Sequence, residues 1–199
     1  AFTRDAPETP EFAAQLYTGS FGMRRSDWQY AARLGSVGLV ADYSTFNTDG
    51  FRDHSETERK QFNGKLSFAP SAGTRLNVVF NQFDMPRAND PVGLIAAQRD
   101  ANPAQAGNNV VSRGVRKEVL QNQLGASLLH TLDDDRSVTA RLYAGTRDNI
   151  QYQTGLASST GAWVGLNRDY SGAGVQVNAR TRIGNQAVQW VLGYEFDRS

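Results

Sequence analysis

The 199-residue sequence predicts an all-β fold, an antiparallel up-and-down meander of about nine strands. Apolar and polar residues alternate with a period of two in segment after segment, which is the strand signature. Turn signals rich in Gly, Asp and Asn separate those segments. The connections also differ in kind: those near Gly35, Ala72, Asp134 and Asn185 are short, and those near Asp53, Asp100 and Leu156 are long. A meander places every second connection at the same end, so one end is trimmed and the other elaborated. Phe21 to Asp27 is a short connection at the elaborated end.

In order, Ala1 to Pro10 is polar and carries Pro7 and Pro10, a connector more than an element. Phe12, Ala14 and Leu16 then alternate with Ala13, Gln15 and Tyr17. Trp28, Tyr30, Ala32 and Leu34 form the apolar face of the next strand, and Val37, Leu39, Ala41 and Tyr43 that of the third. Asn47 to Thr57 is a charged loop with Asp49-Gly50 as its turn. The hairpin Arg59–Asp84 is the cleanest unit. Phe62, Gly64, Leu66, Phe68, Leu76, Val78 and Phe80 share one face, opposite Gln61, Asn63, Lys65, Arg75, Asn77 and Asn81. Its turn is expected over Pro70-Ser71-Ala72-Gly73. Met85 to Lys117 reads as a long irregular segment in which Ala96 to Asp100 could form one helical turn. Alternation returns at Leu124, Ala126 and Leu128, and again at Val138, Ala140, Leu142 and Ala144, with Asp133-Asp134-Asp135 as the reversal between them. Asn149 to Asn167 reads as another long loop. Ala173, Val175, Val177 and Ala179 mark the eighth strand, and Val188, Trp190, Leu192, Tyr194 and Phe196 the ninth.

Composition narrows the class. No run approaches the ~18 apolar residues of a spanning helix. The net charge is +1 with dispersed Lys and Arg, so there is no electrostatic case for nucleic acid. Cysteine is absent, which removes disulfides, thiolate metal sites and a Cys nucleophile. The first residues show no signal peptide.

Which face meets water decides the architecture. Short turns at one end, long loops at the other and strands alternating apolar-out with polar-in are the pattern of an outer-membrane barrel. Trp28, Tyr30, Tyr43, Phe62, Phe68, Phe80, Trp190, Tyr194 and Phe196 lie on the apolar faces, several near strand ends, as interfacial girdles do. A soluble β-barrel or sandwich binding a small ligand is the alternative, and it predicts that Leu66, Val78 and Leu142 are buried. A porin-like passive channel is a third reading.

No enzyme is expected. His54 sits in a loop and His130 beside a short turn, at opposite ends of the meander, so they cannot share a metal or a triad. His130 shows no partner in the sequence. Asp133 to Asp135 lacks calcium-loop spacing. Gly172 and Gly174 interrupt a strand with no helix following, so they are not a phosphate loop and instead make room on the polar face. No cofactor is implied.

The segments LYTGSFGMRR, GLVADYSTFNTDGFRDHSETERKQFNGKLSF and FNQFDMPRANDPVGL resemble the early barrel of TonB-dependent outer-membrane receptors, most closely their iron-siderophore branch. The likeness runs through most of Glu11 to Leu94, and the loop rhythm continues to Ser199. It implies a partial transmembrane β-barrel over residues 11–199, with residues 1–10 as the connector from a plug domain that is not in this sequence. Such barrels have 22 strands, so nine amount to fewer than half. The resemblance further implies a bacterial outer-membrane location, contact with outer-membrane lipid, and coupling to TonB through the missing plug. It implies uptake of a ferric siderophore or similar ligand, which this stretch alone would not transport.

Ferric siderophores are often anionic and planar, so arginines beside aromatic rings suit them. The candidates in or beside the elaborated end are Arg52, His54, Arg59, Arg113, Arg116, Arg147, Tyr152, Trp163, Arg168 and Tyr170. The polar row Gln61, Asn63, Lys65, Arg75, Asn77, Arg141 and Arg180 is expected to face a plug or water.

Overall fold

The computed structural model describes residues 4–154 and 162–199. Its strands are β1 (Glu11–Thr18), β2 (Arg24–Leu34), β3 (Val37–Thr48), β4 (Thr57–Ser71), β5 (Thr74–Asn89), β6 (Arg116–Asp133), β7 (Arg136–Gln153), β8 (Ala162–Ile183) and β9 (Gln186–Arg198). They form one nine-stranded sheet in sequence order, every neighbouring pair antiparallel. Two short helices, α1 (Ala96–Ala101) and α2 (Val110–Arg113), lie between β5 and β6.

All four short connections are two-residue turns: Gly35-Ser36, Ala72-Gly73, Asp134-Asp135 and Gly184-Asn185. Gly35 and Gly184 take φ of 60° and 62°, where a Cβ would be strained. At the third turn Asp133 accepts from Arg136 across the reversal, and its other oxygen accepts from the Asp135 amide at 3.1 Å.

Four expected boundaries are corrected. β4 runs through Pro70 to Ser71, because a register shift between Phe68 and Ser71 absorbs the residue that cannot donate to the ladder. β5 likewise continues past Pro86 to Asn89, with a shift between Met85 and Ala88, so the irregular segment is residues 90–115. Arg24 to Asp27 is strand, paired with Ser44 to Asn47. Asn149 to Gln153 and Ala162 to Asn167 are paired strand as well, while Leu156 lies outside the described residues. Near the loop end both faces meet water, so alternation loses its contrast there. β8 has 22 residues. At ~3.3 Å per residue that is roughly 70 Å, more than twice what ~10 tilted residues need to span a bilayer.

The register assigns the faces. One polar row crosses six strands as Asp42, Asn63, Asn81, Gln123, Gly145 and Tyr170. Its members are linked: Asn63 Nδ2 donates to Asp42 at 3.2 Å, Asn81 Nδ2 to Asn63 at 2.8 Å, and the Tyr170 hydroxyl to Gln123 Oε1 at 3.2 Å. The opposite face carries Trp28, Tyr43, Phe62, Leu66, Val78 and Leu142, and no described residue outside the sheet packs on it. Leu66 is 49% exposed and Leu142 61%. The soluble alternative required both to be buried. The buried apolar residues among those described are Ala6, Ala31, Ala32, Val110, Val115, Val119 and Ala179, too small to be the core of a sandwich. The sheet is therefore held by its ladder and asks for an apolar solvent on its outer face.

Candidate functional site

The ten candidate residues divide among four places. Arg52, His54 and Arg113 are in loops, and the first two hold the loop end together. The half-buried Arg52 guanidinium donates to the carbonyls of Val92 at 2.6 Å, Pro91 at 3.1 Å and Gln105 at 2.9 Å. His54 Nε2 meets the Val115 carbonyl at 2.7 Å, and the Asp53 amide donates to Ala104. The 49–56 loop is thus stitched to the 90–115 loop. Val110 and Val115 form a small apolar seat beneath the latter. Asn109 and Gly114, both left-handed, bracket the single turn of α2 over that seat. Arg113 is the last residue of this turn. The Asn89 amide donates to Glu56 at 2.7 Å and holds its carboxyl below the ordinary value.

Arg59 lies over Phe46 at 5.4 Å, on the polar face of β4. Arg116, Tyr152 and Trp163 are cross-strand partners on the other face, where the Arg116 guanidinium stacks 3.8 Å over Tyr152 and reaches Glu118 at 2.7 Å. Trp163 beside them is 69% exposed.

The fourth place gathers Arg147, Arg168 and Tyr170, which stand in strands β7 and β8 and not in a loop. They share the polar face with Gln121, Gln123 and Tyr143 and line a recess of about 340 Å³. Arg147 and Arg168 are directly opposite in register. Like charges so placed repel, and among the described residues neither has an ion-pair partner. Asp148 and Asp169 are their chain neighbours, but alternation sends those carboxylates to the other face. Arg168 lies 6.0 Å over the Tyr170 ring, and the Tyr143 and Tyr170 rings tilt together at 6.3 Å. Two residues along β7 the buried carboxamide oxygen of Asn149 has no hydrogen-bond partner. The recess offers two uncompensated cations, aromatic faces and amide donors, a set suited to a flat anion.

Glycine makes this possible. A Cβ on Gly145 would lie 2.5 Å from the Tyr170 ring and 2.6 Å from the Asn122 carbonyl oxygen. One on Gly172 would lie 2.6 Å from Tyr143, so the room read from the sequence is filled by a neighbouring strand's own tyrosine. Gly174 similarly faces Arg141, which pairs with Glu195 at 2.7 Å. Gly145→Val is expected to push Tyr170 off the wall and, because a backbone oxygen is also in the way, to cost about 1–3 kcal/mol. Gly93→Ala, with nothing within 4 Å, is the matched control for the shift in heat-modifiable gel mobility.

His130, expected without a partner, has one: its Nδ1 meets Thr74 Oγ1 at 2.9 Å across the β5–β6 pair. Sequence reading also missed the N-terminal segment. Lys65, on the polar face, is 8% exposed because Asp5 covers it and accepts from its Nζ at 3.0 Å.

No family model matches the sequence. Solved structures do resemble the fold. Against the ferric citrate transporter FecA in its unliganded form the TM-score is 0.80 at 18% identity, covering 98% of this chain and 30% of that one. Against FpvA of P. aeruginosa, bound to a heterologous pyoverdine–Fe, it is 0.69 at 16% identity, covering 98% and 28%. Against the ferric-catecholate import receptor Fiu of E. coli K12, closed form, it is 0.68 at 14% identity, covering 98% and 32%. The chain spans about a third of the length of these structures. Its nine strands have the fold of a barrel-wall segment of the TonB-dependent outer-membrane receptors, the family that the sequence resembles.

Proposed function

We propose that this chain is part of a bacterial outer-membrane receptor that takes up a ferric, anionic chelate such as a siderophore, with energy coupling through TonB and a plug joined at residues 1–10. The uncovered apolar face meets lipid, and the polar face lines the lumen. The observation that carries the ligand class is the Arg147–Arg168 pair, two opposed cations without a carboxylate, set between Tyr143 and Tyr170 on the lumen side. The names of the structural neighbours, which include ferric citrate, ferric-catecholate and pyoverdine–Fe receptors, support iron-chelate uptake as a class. Without a plug, this segment alone should not transport a ligand inward.

The test is uptake of radioactive iron by a receptor-deficient host carrying the full-length protein, supplied as ferric citrate, a ferric catecholate or a ferric hydroxamate. Energy-dependent accumulation of at least one probe, abolished by deleting the inner-membrane energiser, is the expected result. Equal background for all three, with the protein present in the outer membrane, would sink the iron-chelate reading. A lumen passing all three without energy would favour the passive channel instead.

A further inference from the structure

Residues Arg4 to Glu8 lie across the polar face near the two-residue turns, far from the arginine recess. They are gripped by cations from three strands. Lys65 on β4 donates to Asp5 Oδ1 at 3.0 Å and to the Arg4 carbonyl at 3.1 Å. Arg75 on β5 reaches the other Asp5 oxygen at 3.4 Å. Arg33 on β2 donates to the Ala6 carbonyl at 3.2 Å and pairs with Glu8 at 3.2 Å. Apolar burial contributes little: from Arg4 to Pro10 only Ala6 is buried, seated where a Cβ on Gly38 would come within 2.8 Å of it. The segment is thus held mainly by charge.

We propose that Arg4–Glu8 is a releasable ionic strap, a cover over a cationic patch formed by Arg33, Lys65 and Arg75 at the short-turn mouth of the lumen. Docked, it places carboxylates and carbonyls against Arg33, Lys65 and Arg75 on the polar face. Undocked, it leaves three arranged cations on the wall. The hydrogen bond from Lys65, then its charge, holds the Asp5 carboxyl below its ordinary value, with Arg75 and Arg33 adding to the effect. A lowered carboxylate pKa means that docking is at full strength above about pH 4 and weakens as pH falls through the lowered value. Between neutral pH and that point the release signal is therefore salt, not protons.

Ser67 lies beneath the strap beside Gly38 and Asp5, and the 199-residue sequence has no cysteine, so Ser67→Cys supplies a reporter thiol. Its rate of reaction with an uncharged maleimide is measured in the full-length protein in detergent, with heat-modifiable mobility confirming the barrel. With Lys65 in place, Asp5→Lys should raise the rate about tenfold. In the Lys65→Glu background the order should invert: Asp5 leaves the thiol open and Asp5→Lys protects it. A lysine at position 5 beside the thiol can only favour the reactive thiolate, so slower labelling of Asp5→Lys in the Lys65→Glu background reports cover and not reactivity. Raising NaCl from low to ~1 M should speed labelling with the native pair and leave Asp5→Lys unchanged. Absence of inversion with a folded barrel, or native labelling that does not respond to salt, overturns the strap. If Lys65→Glu fails to assemble, the Asp5→Lys and salt comparisons decide alone. None of these outcomes depends on iron uptake, so the strap and the transport reading fail separately.

Discussion

Replacing Arg147 and Arg168 together by glutamine should lower the affinity of the full-length protein for its transported iron chelate on the order of 100-fold. A hydrogen bond to a charged group contributes roughly 1.5–3 kcal/mol, so losing two at the lower figure amounts to ~3 kcal/mol. The folded protein should not suffer. The two guanidinium groups face each other without a carboxylate, so removing them relieves repulsion across the β7–β8 pair, and assembly should be equal or better. That combination, weaker binding with an undiminished barrel, separates a ligand-facing pair from a structural one. Single changes should each have a smaller effect, and Arg168→Gln should also loosen the Tyr170 ring it covers. Equilibrium binding of the probe found to be taken up, measured on purified protein, is the readout. Wild-type affinity in the double variant would remove the recess from the ligand path.

Arg52→Ala should release the loop end without disturbing the barrel. The guanidinium joins residue 52 to the carbonyls of Pro91, Val92 and Gln105, 39 to 53 residues further along the chain. Removing it leaves three carbonyls to find water, and Val92 sits at a φ of 56°, where a β-branched residue is strained and needs its surroundings to hold it. A loss of about 3 kcal/mol in local opening free energy corresponds to a roughly 100-fold increase in cleavage at exposed sites. Trypsin sites at Arg99 and Arg113 lie in the released segment. Cleavage there should accelerate while the heat-modifiable barrel band keeps its midpoint. His54→Ala, losing one contact to Val115, should give a smaller change in the same direction. A global loss of barrel stability would mean that the loop stitching is integral to the wall.

The strand count, the meander and the placement of the four tight turns were legible because a half-wet strand writes its faces into alternate residues. Leu66 against Lys65, or Val78 against Asn77, is enough to set the register of the whole hairpin. Where both faces meet water, as from Asn149 to Gln153, the same code is silent, and the strands ran on unseen. Prolines 70 and 86 suggested ends because the sequence does not show that a bulge can carry the strand past them. The candidate site was only half visible. Arginine and tyrosine near the loops could be named, but whether Arg147 faces Arg168 or Arg52 turns to its own loop depends on pairing across distant segments. The strap was invisible for the same reason: Asp5 and Lys65 are 60 residues apart, and neither sits in a motif.

Each strand pairs only with the strands just before and just after it, so contact order here is set by hairpin length and not by the length of the chain. The ladder can grow by accretion, one hairpin added to the exposed edge of the last. Damage should therefore stay local: a lesion in β7 would leave β1 to β6 able to form their pairs, and the same lesion in β2 would leave β3 to β9 able to form theirs.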